Sequence, residues 1–321
     1  MKVENRKDLL MIDISVVIVN WNTKALLLDC VASLLQTTRK AEIEIIVVDN
    51  ASTDGSIDAL RIAFPQVQSI TNPENYGFAK ANNIGIKKAQ GRYICLVNSD
   101  VKALEGVLDN MLAHMEIHPG VGAISPKTYG GNTQVQKNCR EFPTLRNLIC
   151  EEFFLNRLFH TIPFFRGRDM VRSDYDALML IQVLSGCFLM VRREVIEQVG
   201  MLDERFFIYS EDVDWCKRIH DAGWKLVHYP NAEAIHYGSA SSSSAPVRFK
   251  VEMVKANWRY WKKHKSMPEC VLFWFIKFTG TLGRALGWLA VSAFAPDERP
   301  KAKISATAYG QMLAWLVSIR A

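Results

Sequence analysis

The chain has 321 residues, of which 49% are hydrophobic and 22% charged, and its formal net charge is +6. This length and composition exclude a disordered or fibrous chain and fit one large globular domain with an appendage. Residues 246–321 hold 13 Lys and Arg against 4 Asp and Glu, so they carry +9 while residues 1–245 carry −3. The asymmetry argues against a nucleic-acid-binding core, and it indicates a C-terminal region that faces an anionic membrane surface or carries only solvated charge.

The cysteines and the N-terminus predict a cytoplasmic protein. The seven cysteines form no C-x-x-C pair, and Cys30, Cys95, Cys187 and Cys216 fall within apolar patterns. A buried thiol behaves as a small hydrophobic group, so we expect free cysteines and a reducing compartment. The first apolar run, residues 14–19, is strand-sized and too short for the core of a signal peptide.

Strand-sized apolar runs and helical periods alternate over the first 125 residues. Strands are predicted at residues 14–19, 44–49, 67–71, 93–97 and 121–125. Helices are predicted around residues 26–35, over 55–64 and 77–89, and around 107–115. This alternation predicts an α/β fold with a mostly parallel central sheet and helices on both faces.

Polar clusters follow three of these strands, at residues 20–22, 49–52 and 98–100. They fall at the carboxyl ends of parallel strands, where such sheets bind their ligands. The first strand is not followed by a G-x-G-x-x-G turn, and the chain has no P-loop motif. If the sheet binds a nucleoside diphosphate, we therefore expect a divalent cation to offset the phosphate charge.

Asn98 and Asp100 are candidate ligands for that cation. They are two residues apart, so in an extended chain they face the same side, with Ser99 opposite. A carboxylate with an amide oxygen is a plausible partial shell for Mg²⁺ or Mn²⁺. The alternative is a simple Asn-Ser-Asp turn.

Residues 206–241 hold the densest polar cluster. A helix is predicted from an N-cap at Ser210 to Gly223, with Glu211, Asp212 and Asp214 in its first turn. The helix dipole favours acids at this position and would account for one or two of them. The remaining acid is a candidate general base.

Two further strands, residues 225–229 and 232–236, are predicted on either side of a Pro230-Asn231 turn. His236 then ends a strand, where it is either a metal or phosphate ligand or a structural histidine.

Six motifs run along residues 13–245 in a fixed order: VVIVNWN, VVDNASTDGS, NYGFAKANNIGI, LVNSDV, GCFLMVRREVIEQVGMLDERFFIYSEDVDWCKRIHDAGW and HYGSAS. Together they resemble the inverting family-two nucleotide-sugar glycosyltransferases of GT-A fold, especially bacterial rhamnosyltransferase-like members. The resemblance implies a nucleotide-sugar half at about 13–125 and an acceptor half at about 126–245, with residues 127–180 shaping the acceptor side. Residues 246–321 would be a helical extension.

The resemblance also implies roles for particular residues. Asp49 would read a pyrimidine base, with Asn20 in the same pocket. The full set of expected nucleotide-sugar contacts is Asn20, Asn22, Asp49, Asn75, Gly77, Asn82, Asn98 and Ser99. The expected catalytic residues are Asp212, as the base, and Glu211; the expected acceptor contacts are Gly186 and Trp215; the expected metal ligands are Asp100 and His236. Asn98 stands where the family's D-x-D motif has its first acid.

The implied reaction uses Mn²⁺ or Mg²⁺ on the donor diphosphate, and Asp212 takes a proton from an acceptor hydroxyl, so that one displacement inverts the anomeric centre. The implied donor is a dTDP- or UDP-sugar such as rhamnose, and the implied acceptor is a lipid-linked glycan at the inner face of the plasma membrane. A sugar nucleotidyltransferase and a catalytically inactive, membrane-bound scaffold are the alternatives.

Residues 269–294 are largely apolar, but Lys277, Thr281 and Arg284 share one helical face, opposite Phe275 and Leu286. We expect this helix to lie in the plane of a membrane surface, or else to pack in a protein interface or to span the bilayer. A last amphipathic helix is predicted around residues 309–319. Oligomers could form through these helices.

Overall fold

The computed structural model describes residues 12–170, 173–238, 245–294, 297 and 299–319. Its strands are β1 Ile14–Asn20, β2 Ile43–Asp49, β3 Gln68–Thr71, β4 Tyr93–Asn98, β5 Val101–Ala103, β6 Val121–Tyr129, β7 Met179–Leu180, β8 Phe188–Arg192 and β9 Lys225–His236. Its helices are α1 Lys24–Thr37, α2 Ser56–Ala63, α3 Gly77–Ile86, α4 Val107–Ile117, α5 Leu145–Glu152, α6 Leu155–Leu158, α7 Arg193–Val199, α8 Glu211–Asp221, α9 Pro246–His264, α10 Met267–Phe294 and α11 Arg299–Ser318.

The strands form one mixed sheet in the order β3-β2-β1-β4-β8-β6-β9-β5, with β7 paired to β9. The strands β3, β2, β1 and β4 are parallel, as predicted, and so are β6 and β9. The strand β8 lies antiparallel between β4 and β6. The α/β prediction is confirmed, although β8 and the short strands β5 and β7 were not predicted.

The core lies on both faces of the sheet. Along β1, Val17 packs into one apolar layer while Val16 and Ile18 pack into the other. The helix α3 contributes to the first layer and α1 to the second. Alternate residues of a strand point to opposite faces, so a strand covered by helices on both sides is apolar at every position.

Two local predictions are wrong. The two strands expected around Pro230 form the single strand β9, because the register against β6 shifts and Pro230–Ala232 are accommodated as an irregularity within it. Ser210 does not cap α8 with its side chain. Its φ is +63°, and its hydroxyl instead donates to Asn257 Oδ1 at 3.2 Å. Gly223 does follow the end of α8, with φ +89°.

The cysteine prediction is confirmed, since all seven are free and buried. The segment 1–11, part of the predicted N-terminal region, and the serine-rich stretch 239–244 lie outside the described residues.

The C-terminal region forms the three helices α9, α10 and α11, and the predicted last helix is confirmed with Met312 and Leu316 buried. No helix among the described residues has the length and apolar character needed to cross a membrane. The charged face of α10 turns inward, where Lys277 and Arg284 both pair with Glu152 at the end of α5, and Phe275 and Leu286 are exposed. The expectation that α10 lies in the plane of a membrane surface stays a prediction.

Candidate active site

The pairing of β5 with β9 brings Asp100 to His236. Asp100 lies in the turn between β4 and β5, and the residue after it, Val101, is the register partner of His236. The Asp100 backbone carbonyl also accepts from Tyr237 N at 3.0 Å. As a result His236 Nε2 lies 3.3 Å from Asp100 Oδ1, although the two residues are far apart in the sequence.

Asn98 completes this group from the end of β4. Its Nδ2 lies 3.5 Å from His236 Nε2, and among the described residues its Oδ1 is a buried atom that has no hydrogen-bond partner. A buried amide oxygen without a partner is costly unless a ligand satisfies it. The other ring nitrogen of His236, Nδ1, is 3.0 Å from Gln136 Oε1, which orients the ring. These contacts leave Nε2 directed toward the carboxylate and the amide.

This group fits a divalent cation that takes its other ligands from a substrate. A carboxylate oxygen, an imidazole nitrogen and an amide oxygen are acceptable ligands for Mn²⁺, and the first and last for Mg²⁺. The described residues contain no cluster of three or more His, Cys, Asp or Glu with metal-binding geometry. The remaining ligands would therefore be phosphate oxygens and water, as is usual for Mg²⁺ at phosphate sites.

Two adjoining cavities form one cleft at this edge of the sheet. Residues common to the walls of both are Phe78, Asn98, Ile208, Tyr209 and His236. Predicted site residues that line the first cavity are Asn75, Gly77, Asn98, Ser99, Asp100 and His236. Those that line the second are Asn98, Gly186, Glu211, Asp212 and His236. The structure thus brings Asp100 and Asp212 to a single cleft.

The first turn of α3 is tightly packed against the loop that leads to α8. Phe78 N donates to the Phe207 carbonyl at 2.6 Å. A Cβ on Gly77 would lie 2.2 Å from that same carbonyl oxygen, and Gly77 has φ +81°. Only glycine fits such an approach. This contact fixes the loop that separates the first cavity from Asp212.

Asp212 lies at the start of α8 and faces the second cavity. Its Oδ2 accepts from Gly186 N at 3.3 Å and its Oδ1 from Val213 N at 2.8 Å. The preceding Tyr209 and Ser210 both have positive φ, +70° and +63°. Consecutive left-handed residues other than glycine are strained, and such strain concentrates at functional sites. The local chain is therefore held in a costly conformation that presents Asp212 to the cleft.

Glu211 lies beside Asp212 in a more desolvated setting. Burial, and then the charge of Asp212, raise the pKa of the Glu211 carboxyl well above its usual range. Among the described residues its Oε2 has no hydrogen-bond partner. A raised pKa favours the protonated form, which cannot accept a proton, so Asp212 is the better candidate for the base. The catalytic role of Glu211 stays a prediction.

Five predicted residues lie outside the two cavity walls. Asn20 and Asp49 are buried side by side at the ends of β1 and β2, with Asn20 Nδ2 donating to Asp49 Oδ1 at 2.8 Å. The second Asp49 oxygen accepts from Ser52 N at 2.9 Å, so the pair supports the loop after β2. Asn22 is exposed and accepts from Thr53 N at 2.8 Å. The contact of Asp49 with a pyrimidine base stays a prediction.

Asn82 and Trp215 are structural in this arrangement. Asn82 is buried within α3, where its Nδ2 donates to the Phe78 carbonyl at 2.9 Å. Trp215 is fully buried in the core, and its Nε1 donates to the Gly200 carbonyl at 2.9 Å. The expectation that Trp215 contacts the acceptor is corrected, because α8 turns this side chain away from the cleft.

The helix α9 contributes residues to the cleft that were not predicted. Arg248 and Phe249 line the first cavity, and Met253 and Asn257 line the second. The Arg248 guanidinium lies 5.0 Å from the ring centroid of Phe207. Their spacing in the sequence indicates a shared surface, since residues 249, 253 and 257 recur every four positions and so lie on one helical face. The predicted boundary at residue 245 therefore does not separate the cleft from the C-terminal helices.

The acids lie at the carboxyl edge of the parallel strands, beside two joined cavities, which is where sheets of this class bind their ligands. The chain belongs to glycosyl transferase family 2, whose family model matches residues 15–200. It is an inverting glycosyltransferase. The family membership that the six motifs predicted is confirmed.

Relatives and solved structures agree with this assignment. The chain is 26% identical over 289 residues to the N-acetylglucosaminyl-diphospho-decaprenol L-rhamnosyltransferase of Mycobacterium tuberculosis, a match that covers 85% of this chain and 91% of that protein. It is 26% identical over 186 residues to the rhamnosyltransferase WbbL of Escherichia coli, covering 53% of this chain and 64% of that protein.

The fold is similar to that of the mannosyltransferase PcManGT from Pyrobaculum calidifontis, solved in complex with GDP-Man and Mn²⁺. The TM-score is 0.55 at 17% identity, over 95% of this chain and 84% of that chain. At this identity the likeness concerns the fold alone. It confirms the GT-A prediction.

Proposed function

We propose that the enzyme moves a sugar, rhamnose by similarity to its relatives, from a dTDP- or UDP-sugar to a hydroxyl of a lipid-linked glycan. The observation that carries the proposal is the single cleft in which the Asp100–His236 pair, 3.3 Å apart, stands on one side and Asp212 on the other. A transfer reaction needs a donor diphosphate and an acceptor hydroxyl on opposite sides of one sugar.

In this proposal the first cavity binds the donor. Asn75 and Ser99 contribute polar groups to its wall, and Arg248 brings a cation from α9. Asp100, His236 and the free Asn98 Oδ1 would hold Mn²⁺ or Mg²⁺ against the donor diphosphate. When bound, the cation would neutralise the charge that develops on the departing nucleotide. The oriented His236 ring would keep its Nε2 available to that ion.

The second cavity binds the acceptor in this proposal, and Asp212 is the base. Two backbone N–H groups hold the orientation of its carboxylate, and the pKa of the neighbouring Glu211 carboxyl is raised by burial and by the charge of Asp212. Asp212 would take the proton of the attacking hydroxyl late, once positive charge on the anomeric carbon has made the hydroxyl acidic. Gly186 leaves room beside it, since a Cβ there would already contact Asp212 Cβ at 3.5 Å.

The lipid-linked acceptor is supported by the mycobacterial relative, which is an N-acetylglucosaminyl-diphospho-decaprenol L-rhamnosyltransferase. Such an acceptor would place the enzyme peripherally at the inner face of the plasma membrane. The C-terminal region of net charge +9 suits an anionic surface of that kind.

The test is a direct assay of the full chain. Incubation with Mn²⁺, dTDP-rhamnose or a UDP-sugar, and a short-chain N-acetylglucosaminyl-diphospho-lipid should yield a glycosylated lipid and free nucleoside diphosphate. NMR of the product should show inversion at the anomeric carbon. With inorganic pyrophosphate added, conversion of the nucleotide sugar to nucleoside triphosphate and sugar 1-phosphate would instead identify a nucleotidyltransferase, and nucleotide binding without turnover on any acceptor would identify an inactive scaffold.

A further inference from the structure

The helix α10 has an unusual polarity for a surface helix. In the fully described stretch Val271–Phe294, its exposed positions carry no charged side chain. They form one apolar stripe about 35 Å long, which includes Leu272, Phe275, Leu286 and Leu289, each about half exposed. A surface helix in water normally shows the reverse arrangement, with its apolar stripe against the core.

The inward placement of the charges is built into the fold. Lys277 Nζ binds Glu152 Oε2 at 2.5 Å, and Arg284 binds both the other carboxylate oxygen and, at 2.7 Å, the backbone carbonyl of Glu152. A Cβ on Gly280 would lie 2.4 Å from Glu152 Cγ, so α10 needs a glycine where the carboxylate enters. Glu152 is 4% exposed. Removing one partner of such a buried group would be costly, and the arrangement therefore fixes which face of α10 points outward.

A second exposed apolar segment adjoins the stripe. Residues 153–168 hold five phenylalanines, three arginines and no acid. Phe154, Phe159 and Phe164 are 42%, 43% and 63% exposed. This segment lies beside α10, since the guanidinium of Arg284 on the inward face of α10 is 4.9 Å from the ring centroid of Phe154. Exposed apolar surface on neighbouring elements marks an interaction site.

We propose that residues 153–168, together with the exposed stripe of α10, are a docking surface for an anionic lipid bilayer. Aromatic side chains mixed with arginines, without an acid, match the anionic headgroup region and the acyl boundary below it. A twofold dimer through the same surface would press two acid-free, arginine-bearing segments together, which like-charge repulsion disfavours. The charge pattern therefore favours the bilayer over a second copy of the chain.

The position of this surface deepens the proposed function, on which its link to catalysis rests. The segment 153–168 ends at Arg168, which lines the second cavity together with Asp169. Arg168 N donates to Glu151 Oε1 at 2.6 Å, so the cavity wall is bonded to α5, beside the docking surface. A lipid-linked acceptor could then present its sugar to Asp212 while its lipid stays in the bilayer.

Vesicle co-sedimentation of the full chain tests the proposal without requiring turnover. Wild-type protein should bind phosphatidylcholine vesicles that contain about 30% phosphatidylglycerol more strongly than neutral ones. Phe275→Glu, Leu286→Glu and Phe159→Glu should each lower the partition coefficient by about tenfold or more. Ile62→Glu, at a position 84% exposed on α2, is the matched control and should bind as wild type does.

Four results would each overturn the proposal: wild type binds neither kind of vesicle, wild type binds both equally, the three docking variants bind as wild type does, or the protein forms a dimer in solution that those variants dissociate. Because the substituted side chains are exposed, all four variants should keep the wild-type melting temperature and the wild-type rate of donor hydrolysis. If wild type binds vesicles but transfers no sugar, the proposed function fails while the docking surface stands.

Discussion

Replacing Asp212 by Asn separates catalysis from binding. In the wild type, Asp212 Oδ1 accepts from Val213 N at 2.8 Å and Oδ2 accepts from Gly186 N at 3.3 Å. The amide of the variant can still accept from Val213 N with its oxygen, but its NH₂ group would face the N–H donor of Gly186. The lost hydrogen bond should cost about 1 kcal/mol of folding stability. The lost base should lower kcat by at least about 10³-fold, which corresponds to about 4 kcal/mol of transition-state stabilisation.

Donor binding should survive the substitution, because the first cavity is built from other residues. The first measurement is kcat for sugar transfer. The second is the melting temperature in the presence of Mn²⁺ and a nucleoside diphosphate at a concentration a hundredfold above its dissociation constant. The ligand should stabilise wild type and Asp212→Asn equally, by about 2.7 kcal/mol. A loss of this stabilisation would show that the substitution had damaged the donor site.

Glu211→Gln is the matched control for the base assignment. Glutamine has the shape of a protonated glutamate, the form that burial and the charge of Asp212 favour by raising the pKa of Glu211. This variant should therefore keep the wild-type kcat. If Asp212→Asn keeps more than about a tenth of the activity while Glu211→Gln is inactive, the assignment of the base is refuted.

Three further outcomes test the rest of the cleft. Asp100→Asn should abolish the extra thermal stabilisation that Mn²⁺ gives with a nucleoside diphosphate and leave the melting temperature without ligand nearly unchanged; an undiminished Mn²⁺ effect would place the metal elsewhere. Arg248→Ala should weaken binding of a nucleoside diphosphate by about tenfold, Arg248→Lys should restore part of it, and binding of the monophosphate should change little; equal losses for both nucleotides would contradict a contact with the terminal phosphate. Because the folded state keeps Glu211 protonated and the unfolded chain ionises it, raising the pH above the ordinary glutamate pKa should cost up to about 1.4 kcal/mol of stability per pH unit. Urea unfolding between about pH 5 and 8 should show a shallower pH dependence for Glu211→Gln than for wild type, and identical slopes would contradict the raised pKa.

The donor side of the cleft could be predicted from the sequence because parallel strands align their ends. Asn98 and Asp100 follow a buried strand, and the same edge of the sheet receives the ends of β1 and β2. The alignment of strand ends predicts where these side chains lie in the fold, but it does not predict whether they are exposed to the cleft. Asn20 and Asp49 end their strands at neighbouring register positions, yet they bond to each other below the cavities.

The unlike roles of Glu211 and Asp212 could not be predicted. The two residues are adjacent at the start of one helix, and their side chains differ in direction by about a third of a turn. Which of them is desolvated depends on packing that comes from distant parts of the chain. The same holds for α10, whose sequence shows a charged face and an apolar face but does not show which one meets Glu152, 125 residues away from Lys277.

The third acid of the cluster, Asp214, explains why the C-terminal helices belong to the catalytic unit. It is fully buried, and it pairs with Arg218 at 3.0 Å on α8 and with Lys263 and His264 at 2.7 Å near the end of α9. The other end of α9 brings Arg248 to the first cavity. A single helix therefore joins the buried anchor beside Asp212 to the donor side of the cleft, and α10 follows it directly. Because α10 carries the outward apolar stripe, a membrane contact made there would be two helices away from Asp212, through α9 and the ion pairs that join α9 to α8.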